Sequence, residues 1–381
     1  MKIAVFSDAY LPQINGLTFT LQKMQNYMEE NDIEYRYFVP GNSGFTPAAN
    51  ITPVQSMKCI LYPECRVTLP VYTRVARQLA LFRPDLIHVM TPLSLGVMGL
   101  KYARDHEIPM TACFANDFAQ YLSYYHLRAL EPAVWRYLAW FYSHAELNFA
   151  LSQHSAERLR RRVIGANIRV LGNGVEPELF SPQLFDADLR RHYAAPDEAL
   201  LLYVGRLAAE KEIEVIMNAA RLLDAGRVRY RLLCVGDGPL RGALAQMLLP
   251  RVRFLGYKVG EELQRLYAAA DIFVFASRIE TYGNVILEAM ASGLPIVAVD
   301  AGGVRENLRH GVNGIACAPG DAPAMASGIE LLIKDKALRQ TMAQNARRHA
   351  LTRSWDHIFD QLFEQLRLLG VDMPRRRQRI S

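Results

Sequence analysis

The sequence predicts an α/β protein built from two doubly wound parallel-sheet domains in tandem, and three observations predict it. The chain has 381 residues, about twice the ~100–200 residues of a usual single domain. Short β-branched or aromatic runs alternate with helical patterns in both halves, which is the signature of βαβ units. Between the halves, 172–198 holds Pro177, Pro182 and Pro196, several acidic residues and little apolar periodicity, so it reads as a linker.

In the first half, strands are expected at 2–7, 33–39, 86–90, 110–114, 147–151 and 168–171. In the second half they are expected at 200–204, 231–235, 252–255, 272–275, 296–299 and 314–317. A last helix is signalled by Ser354 as N-cap and by Ile358, Phe359, Leu362, Phe363, Leu366 and Leu369 at three-to-four spacing, ending at Gly370. The expected domains are 1–175 and 176–354, with helix 355–370 packing back on the first and 371–381 a basic tail.

Composition excludes several classes. With 51% hydrophobic and 22% charged residues, neither disorder nor a collagen-like or disulfide scaffold fits. The five cysteines, Cys59, Cys65, Cys113, Cys234 and Cys317, are scattered without CxxC spacing, which fits a reducing cytoplasm. Lys2 leads directly into a strand, and no apolar run of ~18 residues follows, so neither export nor a membrane span is expected. The net charge is +6, with basic residues bunched at 158–162 (RLRRR) and at Arg375, Arg376, Arg377 and Arg379. They read either as a solvated helix face and tail or as contacts to anionic lipid. No nucleic-acid-binding motif accompanies them, so nucleic acid is not an expected partner.

Ligands of open parallel sheets bind beyond the carboxyl ends of the strands. The first strand runs into SDAYLPQING, where Asn15 and Gly16 soften a loop before a helix starting near Thr18. Strand 200–204 runs into GRLAAEK, where Gly205 lets backbone approach closely and Arg206 and Lys211 can neutralise a diphosphate. GDGPLRG after strand 231–235 has the wrong spacing for a dinucleotide fingerprint and reads as a turn with a helix starting at Pro239. The segment 280–288, ETYGNVILE, places Tyr282, Gly283, Asn284 and Val285 at a helix N-terminus suited to phosphate. Its carboxylates bracket that end, Glu280 for a sugar and Glu288 for a ribose. In DAGGVREN, Gly302 and Gly303 again offer bare backbone. The only Asp-x-Asp, Asp186 and Asp188, falls in the linker, and no metal is expected.

With these motifs on view, the chain resembles family 4 retaining glycosyltransferases of the GT-B superfamily (glycosyl transferases group 1), from PQING through Leu86-Ile87-His88, GRLAAEK, 280–288 and GGVREN. The resemblance implies two Rossmann-like domains facing a central cleft. By position it implies that Arg206 and Lys211 hold the donor diphosphate, Glu280 touches the donor sugar, Glu288 binds ribose, and Asn15 and Gly16 line the cleft. It further implies retaining transfer of a hexose from a UDP- or GDP-sugar to a lipid, lipid-linked or glycan acceptor, with no cofactor. The base pocket is expected near Gly256, Tyr257 and Lys258.

One position departs from the family. Relatives carry a histidine in a segment like YHTDFxQYL, whereas this chain reads CFANDFAQYL with Ala115 at that place. Ala115 can neither donate a hydrogen bond nor shuttle a proton. A weakened or repurposed enzyme, an inactivated mutant, and a role taken by Asp117 or His88 remain open. A sugar-nucleotide-binding pseudoenzyme is the non-catalytic alternative, and a UDP-sugar epimerase, with Asp117 as its first-half acid, is the other. Tyr121, Tyr124, Tyr125, Leu127 and Trp135 crowd one region, as core or as an apolar acceptor groove. With RLRRR nearby, a cytoplasmic enzyme resting on the inner face of an anionic membrane is expected.

Overall fold

The computed structural model describes the chain except residues 14, 15, 42–47, 59–65, 70, 123, 125, 126, 248 and 371–381, and describes backbone alone at 58, 66, 67 and 121. Asn15, Cys59, Cys65, Tyr125 and the basic tail with Arg375, Arg376, Arg377 and Arg379 lie outside the described residues, as does the side chain of Tyr121. Two compact units emerge: Met1–Gly172 joined by the stretch from Asp356 onward, and Asn173–Trp355.

The first unit runs β1 (Lys2–Phe6), α1 (Gly16–Glu30), β2 (Glu34–Pro40), β3 (Ile51–Val54), β4 (Ser56–Lys58), β5 (Arg66–Thr68), α2 (Tyr72–Phe82), β6 (Leu86–Val89) and α3 (Ser94–Asp105). It continues with β7 (Met110–Phe114), α4 (Phe118–Tyr121), α5 (Glu131–Tyr142), β8 (Leu147–Ala150), α6 (Gln153–Arg162) and β9 (Ile168–Val170). Seven parallel strands lie in the order β3-β2-β1-β6-β7-β8-β9. Every residue of β6, β7 and β8 is buried, because helices cover both faces of such a sheet, and that is why these strands read as unbroken apolar runs. β4 and β5 form a separate antiparallel ribbon.

The second unit runs α7 (Ala187–Tyr193), β10 (Ala199–Val204), α8 (Ile213–Ala225), β11 (Tyr230–Val235), α9 (Arg241–Ala245), β12 (Val252–Gly256), α10 (Gly260–Ala269), β13 (Ile272–Phe275) and α11 (Asn284–Ala291). Then follow β14 (Ile296–Val299), β15 (Gly314–Cys317), α12 (Ala322–Lys334), α13 (Lys336–Leu351) and α14 (Trp355–Arg367), whose body belongs to the first unit. Six parallel strands lie in the order β12-β11-β10-β13-β14-β15. Within the first unit, Tyr27 donates its hydroxyl to Asp360 at 2.6 Å and stacks on Phe363 with centroids 5.2 Å apart, which seats α14 on α1.

All twelve expected strands are present, each end within one residue of expectation. β3, β4 and β5 were not expected, and α1 begins at Gly16 rather than near Thr18. The supposed linker is also corrected: it carries α7 and packs into the second unit. Asp186 caps α7 by accepting from the N–H groups of Asp188 and Leu189 at 2.9 and 3.1 Å, and Arg190 pairs with Asp271 at 2.9 Å. The Asp-x-Asp is thus a helix cap, a stronger reason for the sequence than solvated charge. The division falls after Gly172 instead of 175.

Candidate functional site

In the second unit the chain passes from β10 to β11 on one side and returns to place β13 on the other, so the switch point lies between β10 and β13. Loops diverge there and leave a crevice beyond the strand ends. The loop after β10 supplies Gly205, Arg206 and Lys211, and the loop after β13 supplies Glu280. Lys211 and Glu280 form an ion pair across that point, with side chains 20% and 14% exposed. Arg206 lies 3.8 Å from the buried Glu210 carboxylate, and Arg278 pairs with Glu212. Cations and acids thus alternate around the crevice.

Glycines let these loops meet. A Cβ on Gly236 (φ 124°) would lie 2.0 Å from the Gly205 carbonyl oxygen, and one on Gly238 2.4 Å from that of Leu207. The turn after β11 therefore packs edge to edge on the turn after β10, and α9 starts at Arg241, two residues beyond the expected Pro239. Asp237 explains the delay: it accepts from the Gly238 N–H at 2.7 Å and pairs with Arg241 at 2.6 Å, and those contacts hold its carboxyl below the usual range. Gly256, at the end of β12, accepts from the Gly236 N–H at 2.8 Å, whereas Tyr257 beyond it is exposed.

Gly302 and Gly303 perform the same service on the other side. A Cβ on Gly303 would lie 2.3 Å from the Thr281 carbonyl oxygen, and the Gly303 N–H donates to the Glu280 carbonyl at 2.7 Å. The turn after β14 is thus the backing of the Glu280 loop. Gly283 enters α11 at φ 82°, so the leading N–H groups at Asn284 and Val285 point out of the helix end, an arrangement that attracts anions. Asn284 accepts from Asn173 at 2.9 Å. Tyr282 is buried. One turn inside, Glu288 accepts from the Tyr267 hydroxyl at 2.9 Å, and burial pushes its carboxyl up to about 7.

The first unit holds the remaining candidates. Ala115 follows β7 directly and is 7% exposed. Asp117 caps α4 through the Gln120 N–H at 3.1 Å and pairs with Arg158 at 2.5 Å. That pairing removes Arg158 from the solvated basic run. His88 is buried, with Nδ1 2.8 Å from the Thr111 hydroxyl and Nε2 3.1 Å from the Met90 sulfur, and burial lowers its pKa to about 4. These contacts make it a neutral ring of the sheet interior. Gly16 opens α1 and is exposed. Trp135 is core, as one of the two readings had it, and Leu127 is exposed.

Two groups escaped sequence reasoning. Tyr267, on α10, is the partner of Glu288. Asp8 sits buried at the switch point of the first sheet, between β1 and β6. It accepts from the hydroxyls of Thr68, Thr91 and Ser94 at 2.8, 3.0 and 2.8 Å and from the Leu95 N–H at 3.1 Å. An aspartate right after the first strand was the available signal.

Comparison with known proteins agrees with this architecture. Residues 14–179 match the profile of Glycosyltransferase Family 4, and residues 185–349 that of Glycosyl transferases group 1. The chain is 30% identical over 370 residues to a GDP-mannose-dependent alpha-mannosyltransferase of Mycobacterium tuberculosis, covering 95% of each. It is 25% identical over 315 residues to an alpha-monoglucosyldiacylglycerol synthase of Streptococcus pneumoniae, covering 78% of this chain and 71% of that one. Among solved structures, sucrose-phosphate synthase of Thermosynechococcus elongatus superposes with a TM-score of 0.80 at 22% identity, covering 97% of this chain and 99% of that one.

Proposed function

Because the chain belongs to glycosyltransferase family 4 and is a GT-B enzyme that transfers a sugar from a nucleotide sugar, we propose that its donor is GDP-mannose and that transfer retains anomeric configuration. The observation that carries the reading is the Lys211–Glu280 pair across the β10/β13 switch point, with the donor preference supported by similarity to GDP-mannose-dependent enzymes along 95% of the chain.

In this reading the donor diphosphate displaces Glu280 as the counter-ion of Lys211, while Arg206 and the α11 N-terminus take the other phosphate oxygens. Glu280, released, accepts hydrogen bonds from the sugar hydroxyls, and Glu288 accepts from the ribose. As the bond between the anomeric carbon and the diphosphate oxygen breaks, negative charge grows on the leaving phosphate, where fixed cations and N–H dipoles stabilise it most. Neither a metal nor a cofactor is needed, since the cations serve in the metal's place. The acceptor hydroxyl attacks the anomeric carbon on the same face, forming the new glycosidic bond and giving its proton to the departing diphosphate. The acceptor is a lipid, lipid-linked sugar or glycan, met by the first unit at the cytoplasmic face of a membrane.

Ala115 favours a second reading, a protein that binds the donor but turns it over slowly or not at all. Calorimetric titration of the protein and of Ala115→His with GDP- and UDP-sugars, followed by donor turnover on both, tests the two together. Tighter binding of GDP-mannose with turnover by both proteins supports the enzyme. Binding without turnover except in the histidine form supports the impaired reading, and absence of binding overturns the donor site.

A further inference from the structure

α5 and α6 carry a surface that neither the donor site nor the core uses. Both helices connect neighbouring parallel strands of the first sheet, and Trp135, buried on α5, lies beneath the guanidinium groups of Arg158 and Arg162 at 5.6 and 5.3 Å. The helices are therefore side by side, and their outward faces join.

On α5 that outward face consists of Pro132, Ala133, Arg136, Tyr137 and Trp140, at three-to-four spacing. Trp140 is 43% exposed and Leu130, in the turn before the helix, 51%. The Tyr137 and Trp140 rings lie 5.7 Å apart, and Tyr137 anchors its hydroxyl on the Pro92 carbonyl at 2.6 Å. Rings with one apolar and one polar end suit a boundary between hydrocarbon and water. Exposed arginines accompany them: Arg128 in the turn before α5, Arg136 on α5, and on the neighbouring α6 Arg160, Arg161 and Arg162, of which Arg160 also reaches the Ile168 carbonyl at 3.5 Å. The exposed acid on these two helices is Glu157, which reaches only to 4.0 Å from Arg161.

Apolar aromatic side chains ringed by arginines are poorly placed against water and well matched to anionic headgroups over acyl chains. We propose that the outer face of α5 and α6 is a docking surface for an anionic lipid bilayer. The inference rests on the reading of the first unit as the acceptor-binding side, and it names the surface that would bring a membrane acceptor within reach. Charge complementarity selects lipid as the occupant: Arg128 in the turn before α5, Arg136 on α5, and Arg160, Arg161 and Arg162 on the adjacent α6 are all exposed, against Glu157 as the exposed acid of the two helices.

The test is co-sedimentation of the full chain with vesicles of phosphatidylcholine alone and of phosphatidylcholine mixed with phosphatidylglycerol. Binding is expected to the mixed vesicles and to weaken with salt. Each arginine near such a surface is worth roughly a fivefold gain in partitioning. Arg128→Glu/Arg136→Glu/Arg161→Glu should therefore abolish binding, and Trp140→Ala should weaken it at high salt, where screening leaves the apolar part. A matched charge change on the second unit, Arg221→Glu/Arg227→Glu/Arg348→Glu, should leave it intact. Calorimetric donor titration of the same variants separates this surface from the donor reading, since they are expected to bind donor normally. No binding to mixed vesicles, or equal loss in the matched variant, overturns the proposal.

Discussion

The ammonium of Lys211 is held by the carboxylate of Glu280, from the loops after two adjacent parallel strands. Each neutralises the other, and under the proposed function a donor diphosphate would have to exchange into this preformed pair. Lys211→Ala is expected to lower turnover by ~10²–10³-fold, the size of effect seen when a group stabilising developing charge is lost. Stability should change little by comparison, as a melting curve will show. A Lys211→Ala protein with unaltered kcat removes Lys211 from the chemistry.

Glu288 supplies a pH signature. Burial raises its carboxyl to about 7 in the free protein, so at pH 6 it is mainly protonated and loses accepting capacity for a ribose hydroxyl. Donor affinity should rise from pH 6 to pH 8, and Glu288→Gln should flatten that rise. The stability contribution runs the other way: a carboxyl with a raised folded pKa stabilises below its ordinary value near 4.5 and loses that contribution as pH climbs through about 7. Titration of donor affinity by calorimetry across this range decides the matter.

His88 should behave as a structural ring. Its pKa is lowered from 6.5 to about 4 by burial, so the unfolded chain takes up a proton that the fold refuses. The stability held above pH 6.5 is lost as pH falls through about 4, with an upper size of ~3.5 kcal/mol at ~1.4 kcal/mol per pK unit. His88→Gln should make urea midpoints less sensitive to acid over that window, and an unchanged slope would contradict the assignment.

Ala115→His is expected to leave donor affinity within about twofold, because the donor groups named here belong to the other unit, and to raise turnover by up to ~10⁴-fold if the ring serves in acid–base chemistry. Steady-state donor consumption checks it. Equal turnover in both proteins would show that the alanine is tolerated.

Gly303→Ala should damage the Glu280 loop, since its Cβ would stand 2.3 Å from the Thr281 carbonyl oxygen. A loss of ~1–3 kcal/mol is expected for such crowding, together with weaker donor binding. Gly165→Ala, where a Cβ meets nothing within 4 Å but φ is 80°, separates backbone strain from crowding when both are unfolded in urea.

The central parallel strands β6, β7, β8, β10, β13 and β14 were legible because each is buried on both faces and needs an unbroken apolar run. β3 was not, since Pro53 interrupts it, and a proline is tolerated there because the strand lies at the sheet edge. α7 was hidden by the prolines around it; Asp186 caps it, but the helix is short and polar, and its place is decided by the Arg190–Asp271 pair rather than by periodicity. Arg206, Lys211 and Glu280 stood out because they sit at strand-to-helix junctions, and Glu288 because it closes the motif one turn inside the helix that follows. Asp8 also sits after a strand, yet its importance comes from Thr68, Ser94 and Leu95, which lie 60 to 87 residues away in the chain, and no local pattern announces them.

The Asp8 cluster gives the two sheets opposite electrical characters. The N-terminus of α3, which could have drawn an anion to the first sheet, already holds the protein's own carboxylate, with its oxygens satisfied by hydroxyls and an N–H. A diphosphate approaching that switch point would meet a resident carboxylate whose partners among the described residues are hydroxyls and a backbone N–H. The switch point of the first sheet thus holds a carboxylate where that of the second holds the Lys211–Glu280 pair, and in the proposed reaction this difference would direct the phosphate to the second unit.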